Sequence, residues 1–165
     1  MWLGTGVYFF QEGYDLCHAW AMKACQRASA NPGDTPAVLH AKINTQFGID
    51  LISNTHWPLL RAVYDVHKEE YRNHHQNGID TLIRPMTPQE TSLDYDHPLD
   101  HSIIDTLVDV EALYRRRRQL PEPTLVRAAF VEGQAVDRRS WLFDAAAVIV
   151  SVIDHECIES LEVVF

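Results

Sequence analysis

Trp2-Leu3-Gly4-Thr5-Gly6-Val7-Tyr8-Phe9-Phe10 is the stretch that decides how the rest of the chain is interpreted. Two glycines flank Thr5, so the backbone there can adopt positive φ and lie close to a ligand. The run at residues 7–10 is too short for a helix and too apolar for a surface loop, so it predicts a strand. A tight turn that leads directly into a buried strand is therefore expected.

A helix is predicted after a second turn at Gly13, because apolar residues recur there at helical spacing: Leu16, Ala19, Trp20 and Ala24. Trp20 lies twelve positions after Tyr8, and the two rings can form the walls of a slot for a flat heterocycle. Aromatic contacts of this kind add about 0.5–1.5 kcal/mol beyond area burial. The alternative is that both rings are ordinary core residues.

This region resembles the central motif of ADP-ribosyltransferases of the diphtheria-toxin and poly(ADP-ribose) polymerase type. That motif is a GxG turn, an apolar residue, Tyr-Phe, and an aromatic residue on the next helix. The resemblance implies that Tyr8 stacks on the nicotinamide of NAD, the substrate, and that Trp20 closes its other face. Gly4, Thr5 and Gly6 would then bind NAD through the turn.

The resemblance is closer to small bacterial ADP-ribosyltransferase-like proteins, and it extends over most of the chain. Matching segments follow in order at residues 2–12, 36–43, 99–103, 126–133 and 152–158. It implies one α+β domain over residues 1–165, with a split β-sheet core and flanking helices. The implied function is NAD-dependent ADP-ribosyl transfer to a macromolecular target, or NAD glycohydrolysis, in a bacterial toxin or phage-defence protein.

The chain departs from the family pattern where a carboxylate is expected. Transfer from NAD passes through an oxocarbenium-like state, which a carboxylate stabilises. The corresponding positions carry Ala147 and Ile149, whose side chains cannot hydrogen-bond. Glu132 is the nearest substitute, with Asp144 a weaker one, although Glu132 also fits a plain turn beside Gly133.

A second departure concerns the start of the chain. In the family an earlier strand carries the His or Arg that holds the ribose of NAD, and nothing before Trp2 can form it. We therefore expect a core that lacks its first strand, because the chain is shortened, the gene start is placed late, or another chain supplies the strand. An exposed sheet edge favours such strand addition. The alternative function is a catalytically degenerate binding or regulatory module, with an antitoxin, a strand-completing chain or a second copy as partner.

Bulk properties narrow the class of protein. The 165 residues suit one domain. A net charge of −9 argues against a general nucleic-acid binder, and the basic run at residues 115–118 fits a solvated helix end. Three cysteines without CxxC spacing favour a reducing compartment. With neither a membrane span nor a signal segment in the sequence, we expect a cytoplasmic protein with no membrane contact.

The remaining elements are read from periodicity and turn residues. Helices are expected at residues 57–73 and 100–117, and strands at 36–43, 125–131, 146–153 and 161–165, with a turn at 132–134. This mixture without regular βαβ alternation indicates the α+β class. The Asp and His residues at 94–101 are interpreted as a solvated loop and helix cap, so no metal site is expected.

Overall fold

The computed structural model describes residues 3–26, 33, 35–74, 98–135 and 143–164. Side chains at 69–74, 98–99, 131–135 and 143–146 lie outside this description. The described part contains three α-helices and two β-sheets, which confirms the predicted α+β class. Residues 81–97, and with them part of the acidic and histidine-rich loop expected at 94–101, fall outside the described residues.

The helices and strands follow the sequence patterns closely. In chain order they are β1 (Val7–Gln11), α1 (Tyr14–Cys25), β2 (Val38–Ile43), β3 (Ile49–Asp50), α2 (Trp57–His74), α3 (Pro98–Arg117), β4 (Leu125–Ala135), β5 (Phe143–Val152) and β6 (Ile158–Val164). Short 3-10 turns at Asn54–His56 and His155–Cys157 precede α2 and β6.

The strands form two separate sheets. Sheet 1 has the order β1-β5-β4-β3, in which β1 and β4 are antiparallel to β5 and the short β3 is parallel to β4. Sheet 2 is the antiparallel pair β2 and β6. Within the described residues β1 is hydrogen-bonded to one strand only, so it is an edge strand.

One face of sheet 1 carries the main core. Because side chains alternate along a strand, even-numbered positions of β1 and β4 share a face with odd-numbered positions of β5. This face packs against Leu3 and the helices, and its buried members include Ile49, Val126, Ala147 and Ile149. Helix α3 contributes Ile104 and Leu107, so the helices cover this face.

The opposite face of sheet 1 meets sheet 2 through a smaller core. Leu125, Val150, Val152 and Cys157 are buried there, with Phe9, Ile43 and Ile158 packed against them. Sheet 1 is therefore apolar on both faces, as the near-continuous apolar run of β5 predicts.

Only part of the apolar surface of the helices is buried. Ile103, Ile104 and Leu107 of α3 are buried, whereas Val110, Leu113 and Tyr114 of the same helix are exposed. On α2, Val63 is buried. The helices are also joined by a hydrogen bond of 2.8 Å between His67 of α2 and Thr106 of α3.

The turn expected at residues 132–134 is wrong, because β4 continues through it to Ala135. Glu132 pairs with Ala145, and the register with β5 then shifts before Ala135 pairs with Phe143. A bulge of this kind accommodates an extra residue within a strand, so Gly133 does not have to end it.

No helical segment in the described residues combines bilayer-spanning length with the apolarity that such a span requires.

Candidate functional site

The turn before β1 is hydrogen-bonded to helix α3 through the carboxylate of Asp105. Gly4 has a left-handed φ of +69°, and a Cβ there would collide with the Asp105 carboxylate. The backbone N–H of Thr5 donates to Asp105 Oδ1 at 2.6 Å, and the Thr5 hydroxyl donates to Oδ2 at 3.1 Å. His101, one helical turn before Asp105, lies 3.4 Å from the same carboxylate. Glycine is therefore favoured at position 4 by its φ, and an added Cβ would also displace the Asp105 carboxylate.

Gly6 packs against β5. A Cβ at this position would collide with the Ser151 hydroxyl and lie 2.7 Å from the carbonyl oxygen of Val152. Ser151 is fully buried, and within the described residues its hydroxyl has no hydrogen-bond partner. The absence of a side chain at Gly6 thus allows the backbone to lie close to β5 just before β1 begins.

Tyr8 is anchored to the same turn. Its hydroxyl donates to the carbonyl of Gly4 at 2.7 Å and accepts from the backbone N–H of Leu3 at 2.9 Å. Its ring packs against the main core on the helix-covered face of sheet 1. The structure therefore brings Gly4, Thr5 and Tyr8 together, although through hydrogen bonds and packing within the chain.

Trp20 of α1 contacts the other aromatic residue on that face of β1. Its ring centroid lies 6.2 Å from that of Phe10 at an interplanar angle of 37°, and the ammonium of Lys23 lies 5.9 Å from the Trp20 ring. Phe10 is two positions beyond Tyr8, so both rings point to the same side of the strand. Within the described residues, Trp20 thus pairs with the ring of Phe10.

The positions expected to carry the catalytic carboxylate belong to the main core. Ala147 is 5% exposed and Ile149 is 2% exposed. Glu132 is placed opposite Ala145 by the strand register, and its side chain lies outside the described part, as does that of Asp144.

A large open cleft separates the two sheets. Its volume is about 1150 Å³, and β1, β2, β6 and the start of α1 line it. Sheet 1 contributes Val7, Phe9, Gln11, Arg127 and Val150; sheet 2 contributes Leu39, Ala41, Ile43, Ile158 and Leu161; the start of α1 adds Tyr14 and Cys17. Tyr8 and Phe10 also line the cleft, whereas Trp20 and the GxG turn do not, so the cleft includes one of the two residues of the slot that the sequence suggested.

Apolar side chains on both walls of the cleft are only partly covered. Val7 is 45% exposed, Leu39 50% and Leu161 54%. The sheets meet at Phe9, Ile43 and Ile158, and the walls beyond that contact stay open to solvent. Exposed apolar surface gathered in one concavity is typical of a binding site.

Arg127 places a cation in this apolar setting. Its Nε donates to Gln11 Oε1 at 2.7 Å, and its Nη1 donates to Asp50 Oδ2 at 3.2 Å. Sequence reasoning missed this residue, although an arginine inside the apolar run at 125–131 was a usable signal. Asp105 was missed as well, and its spacing of four from His101 on one helix was the available hint.

Other titratable groups also lie at the cleft. His40 and Glu162 form an exposed pair across sheet 2 at 2.7 Å. Burial raises the pKa of the Cys17 thiol, against a smaller lowering by a backbone hydrogen bond. A thiol with a raised pKa is mostly protonated near neutral pH and is a poor nucleophile. Glu12, directly after β1, lines the cleft with a positive φ of 61°.

Arginines of the basic run form contacts within the chain. Arg115 pairs with Glu111 at 2.8 Å and donates to the carbonyl of Phe47 at 2.7 Å. Arg116 pairs with Glu122 at 2.8 Å, and Arg118 lies over the ring of Tyr114. The run thus ends α3, as expected, although Arg115 is only 13% exposed rather than solvated.

Comparison of the chain with protein-family models, with curated proteins and with solved structures gave no match.

Proposed function

We propose that this protein binds NAD in the cleft between its two sheets. The observation that carries the proposal is the cleft itself, which combines partly exposed apolar walls with one arginine. Ligand pockets commonly measure roughly 300–1,000 Å³. A volume of about 1150 Å³ is therefore ample for a dinucleotide.

The resemblance to ADP-ribosyltransferases supports NAD as the ligand, because β1, which follows the GxG turn, lines the cleft. It places the nicotinamide between Tyr8 and Trp20, of which Tyr8 lines the cleft and Trp20 does not. The Tyr8 hydroxyl is engaged by Gly4 and Leu3, and Trp20 packs near Phe10. The cleft, where Phe9 and Tyr14 also offer aromatic surfaces, is the location that we propose.

Binding without turnover is the form of the proposal that the geometry favours. Ala147 and Ile149 are buried apolar residues at the positions where the family has a polar group. A protein built in this way can hold NAD and lacks the carboxylate that stabilises the oxocarbenium-like state at that point. The proposed class is thus a degenerate ADP-ribosyltransferase-like binding module.

ADP-ribosyl transfer to a macromolecular acceptor, or NAD glycohydrolysis, is the second candidate function. It is favoured by Glu12, an exposed carboxylate that lines the cleft. A carboxylate beside the ribose of bound NAD can stabilise developing positive charge from this position as well.

Two measurements on the whole chain separate these functions. Calorimetric titration with NAD tests binding, and nicotinamide release, with and without cell lysate, tests turnover. Saturable binding without release supports the binding module. Release that Glu12→Gln abolishes, while the exposed control Glu156→Gln retains it, supports the enzyme. Absence of binding together with absence of an NAD-dependent thermal shift removes both.

The partner proposal rests on β1 as an edge strand. Among the described strands only β5 pairs with it, so its outer backbone groups can accept an added strand from another chain. Sedimentation at increasing concentration tests a second copy as that partner, with a concentration-dependent dimer as the supporting result.

A further inference from the structure

We propose that Arg127 is the anion-binding residue of the inter-sheet cleft, and that it holds a phosphate oxygen of the ligand. The inference rests on the proposed function, since it names the part of NAD, the pyrophosphate, that the cleft would recognise. It also applies to any other ligand that carries a phosphate or pyrophosphate group.

The guanidinium is held in a fixed plane by two neighbours. Gln11 of β1 accepts from Nε at 2.7 Å, and Asp50 of β3 accepts from Nη1 at 3.2 Å. Asp50 is itself held in place, because its Oδ1 accepts the backbone N–H of Ile52 at 3.0 Å. Residues from both edges of sheet 1 therefore orient one side chain of β4 over the sheet.

The orientation leaves binding capacity unused. A guanidinium carries five N–H donors, and the bonds to Gln11 and Asp50 engage two of them. In the described part of the chain Nη2 of Arg127 has no partner. The side chain is 28% exposed and lines the cleft, so the remaining donors are accessible to a ligand there.

The surroundings make this charge difficult to explain by stability alone. Arg127 shares its sheet face with Phe9, Val150 and Leu125, which are apolar. It is the one arginine or lysine among the described residues that line the cleft. In a chain of net charge −9, a local cation favours the binding of an anionic ligand at this position.

A planar guanidinium suits a phosphate because its N–H groups match the spacing of phosphate oxygens. Asp50 competes with the ligand for the same cation, since its carboxylate lies 3.2 Å from Nη1. Removing the negative charge of Asp50 is therefore expected to strengthen anion binding, whereas no gain is expected if the ion pair is purely structural.

Calorimetric titration with inorganic pyrophosphate and, separately, with NAD tests the proposal. Arg127→Met is expected to weaken pyrophosphate binding at least tenfold, and Arg127→Lys to give an intermediate loss. Asp50→Asn is expected to strengthen binding severalfold. Arg118→Met, which removes an arginine that lies over Tyr114 and does not line the cleft, serves as the matched control and should bind as the wild type does.

Several results would overturn the proposal. The first is an equal pyrophosphate affinity in Arg127→Met and wild type. The second is a pyrophosphate affinity that does not rise in Asp50→Asn. The third is that the wild type binds neither pyrophosphate nor NAD. If Arg127→Met does not fold, as judged by circular dichroism, Arg127→Lys and Asp50→Asn decide the question. If Arg127→Met leaves NAD binding unaffected, the role of Arg127 is rejected and the proposed function stands. If pyrophosphate binds in an Arg127-dependent way but NAD does not bind, the role of Arg127 stands and NAD binding is rejected.

Discussion

The two faces of strand β1 are built in opposite ways. On the helix-covered face, Tyr8 is bonded to Gly4 and Leu3, and Thr5 is bonded to Asp105. On the cleft face, Val7, Leu39 and Leu161 are about half exposed, and Arg127 has unused donors.

The difference separates a structural motif from a binding surface. A glycine whose missing side chain leaves room for a neighbouring carboxylate or carbonyl is explained by packing. Apolar surface that stays open inside a concavity is not explained by packing and points to a ligand. Packing accounts for Gly6 of the GxG turn, and the cleft is the ligand site that we propose.

The largest effect is expected from Gly6→Ala. The added methyl would meet the Ser151 hydroxyl and the backbone carbonyl of Val152, which cannot move without displacing β5. Overpacking of this kind should lower the free energy of unfolding by about 3 kcal/mol. Denaturant unfolding monitored by circular dichroism measures it.

Gly13→Ala is the matched control for that change. Its φ of +107° is left-handed, but the nearest atom to the added Cβ lies 3.8 Å away, so only backbone strain of about 1–2 kcal/mol is expected. If Gly6→Ala lowers the free energy of unfolding no more than Gly13→Ala does and yet weakens NAD binding, the GxG turn is a ligand site. That result would contradict the contrast between the two faces of β1.

A smaller effect is expected from Asp105→Asn. The change weakens two hydrogen bonds to Thr5, and the Asp105 side chain is 39% exposed, so a loss of about 1–2 kcal/mol in unfolding free energy is expected. Asp109→Asn, at an exposed position one turn further along α3, should leave the thermal midpoint nearly unchanged. An equal shift in both variants would contradict the role given to Asp105.

Tyr8→Phe should cost about 1 kcal/mol of stability, because it removes the hydroxyl that joins Gly4 and Leu3 while keeping the ring. NAD affinity is expected to stay near the wild-type value, since the Tyr8 hydroxyl is already engaged by Gly4 and Leu3 and the ring is kept. Thermal unfolding and calorimetric titration on the same sample measure both quantities. A large fall in NAD affinity with little change in stability would indicate that the Tyr8 hydroxyl contacts NAD.

The smallest change in stability is expected from Leu161→Ser. Leu161 is 54% exposed on the cleft wall, so the free energy of unfolding should change by about 0.5 kcal/mol or less. NAD affinity should nevertheless fall severalfold, because an apolar contact with the ligand is lost. Val66→Ser, which is 59% exposed on α2 and does not line the cleft, is the control that should affect neither quantity.

Local patterns predicted most elements of the fold. The strand at β1 and the helices at α1, α2 and α3 follow from short-range periodicity, and their observed bounds agree within a few residues. The turn expected at Gly133 failed because strand pairing with β5 overrides the local preference of a glycine.

The site was harder to predict because its contacts are long-range. Asp105 bonds to Thr5 across 100 positions, and Arg127 bonds to Gln11 across 116. The sequence shows each residue with its neighbours along the chain, so it indicated the flexibility of the glycines but not what packs against them. The cleft is likewise formed by two sheets whose strands come from distant segments.

Hydrogen exchange measured by mass spectrometry, with and without saturating NAD, tests the central claim most directly. Binding in the cleft should slow exchange in β2 and β6, which form one wall, and leave the second half of α1, around Trp20, unchanged. Protection of that part of α1 with none in β2 and β6, or no protection anywhere, would contradict the account.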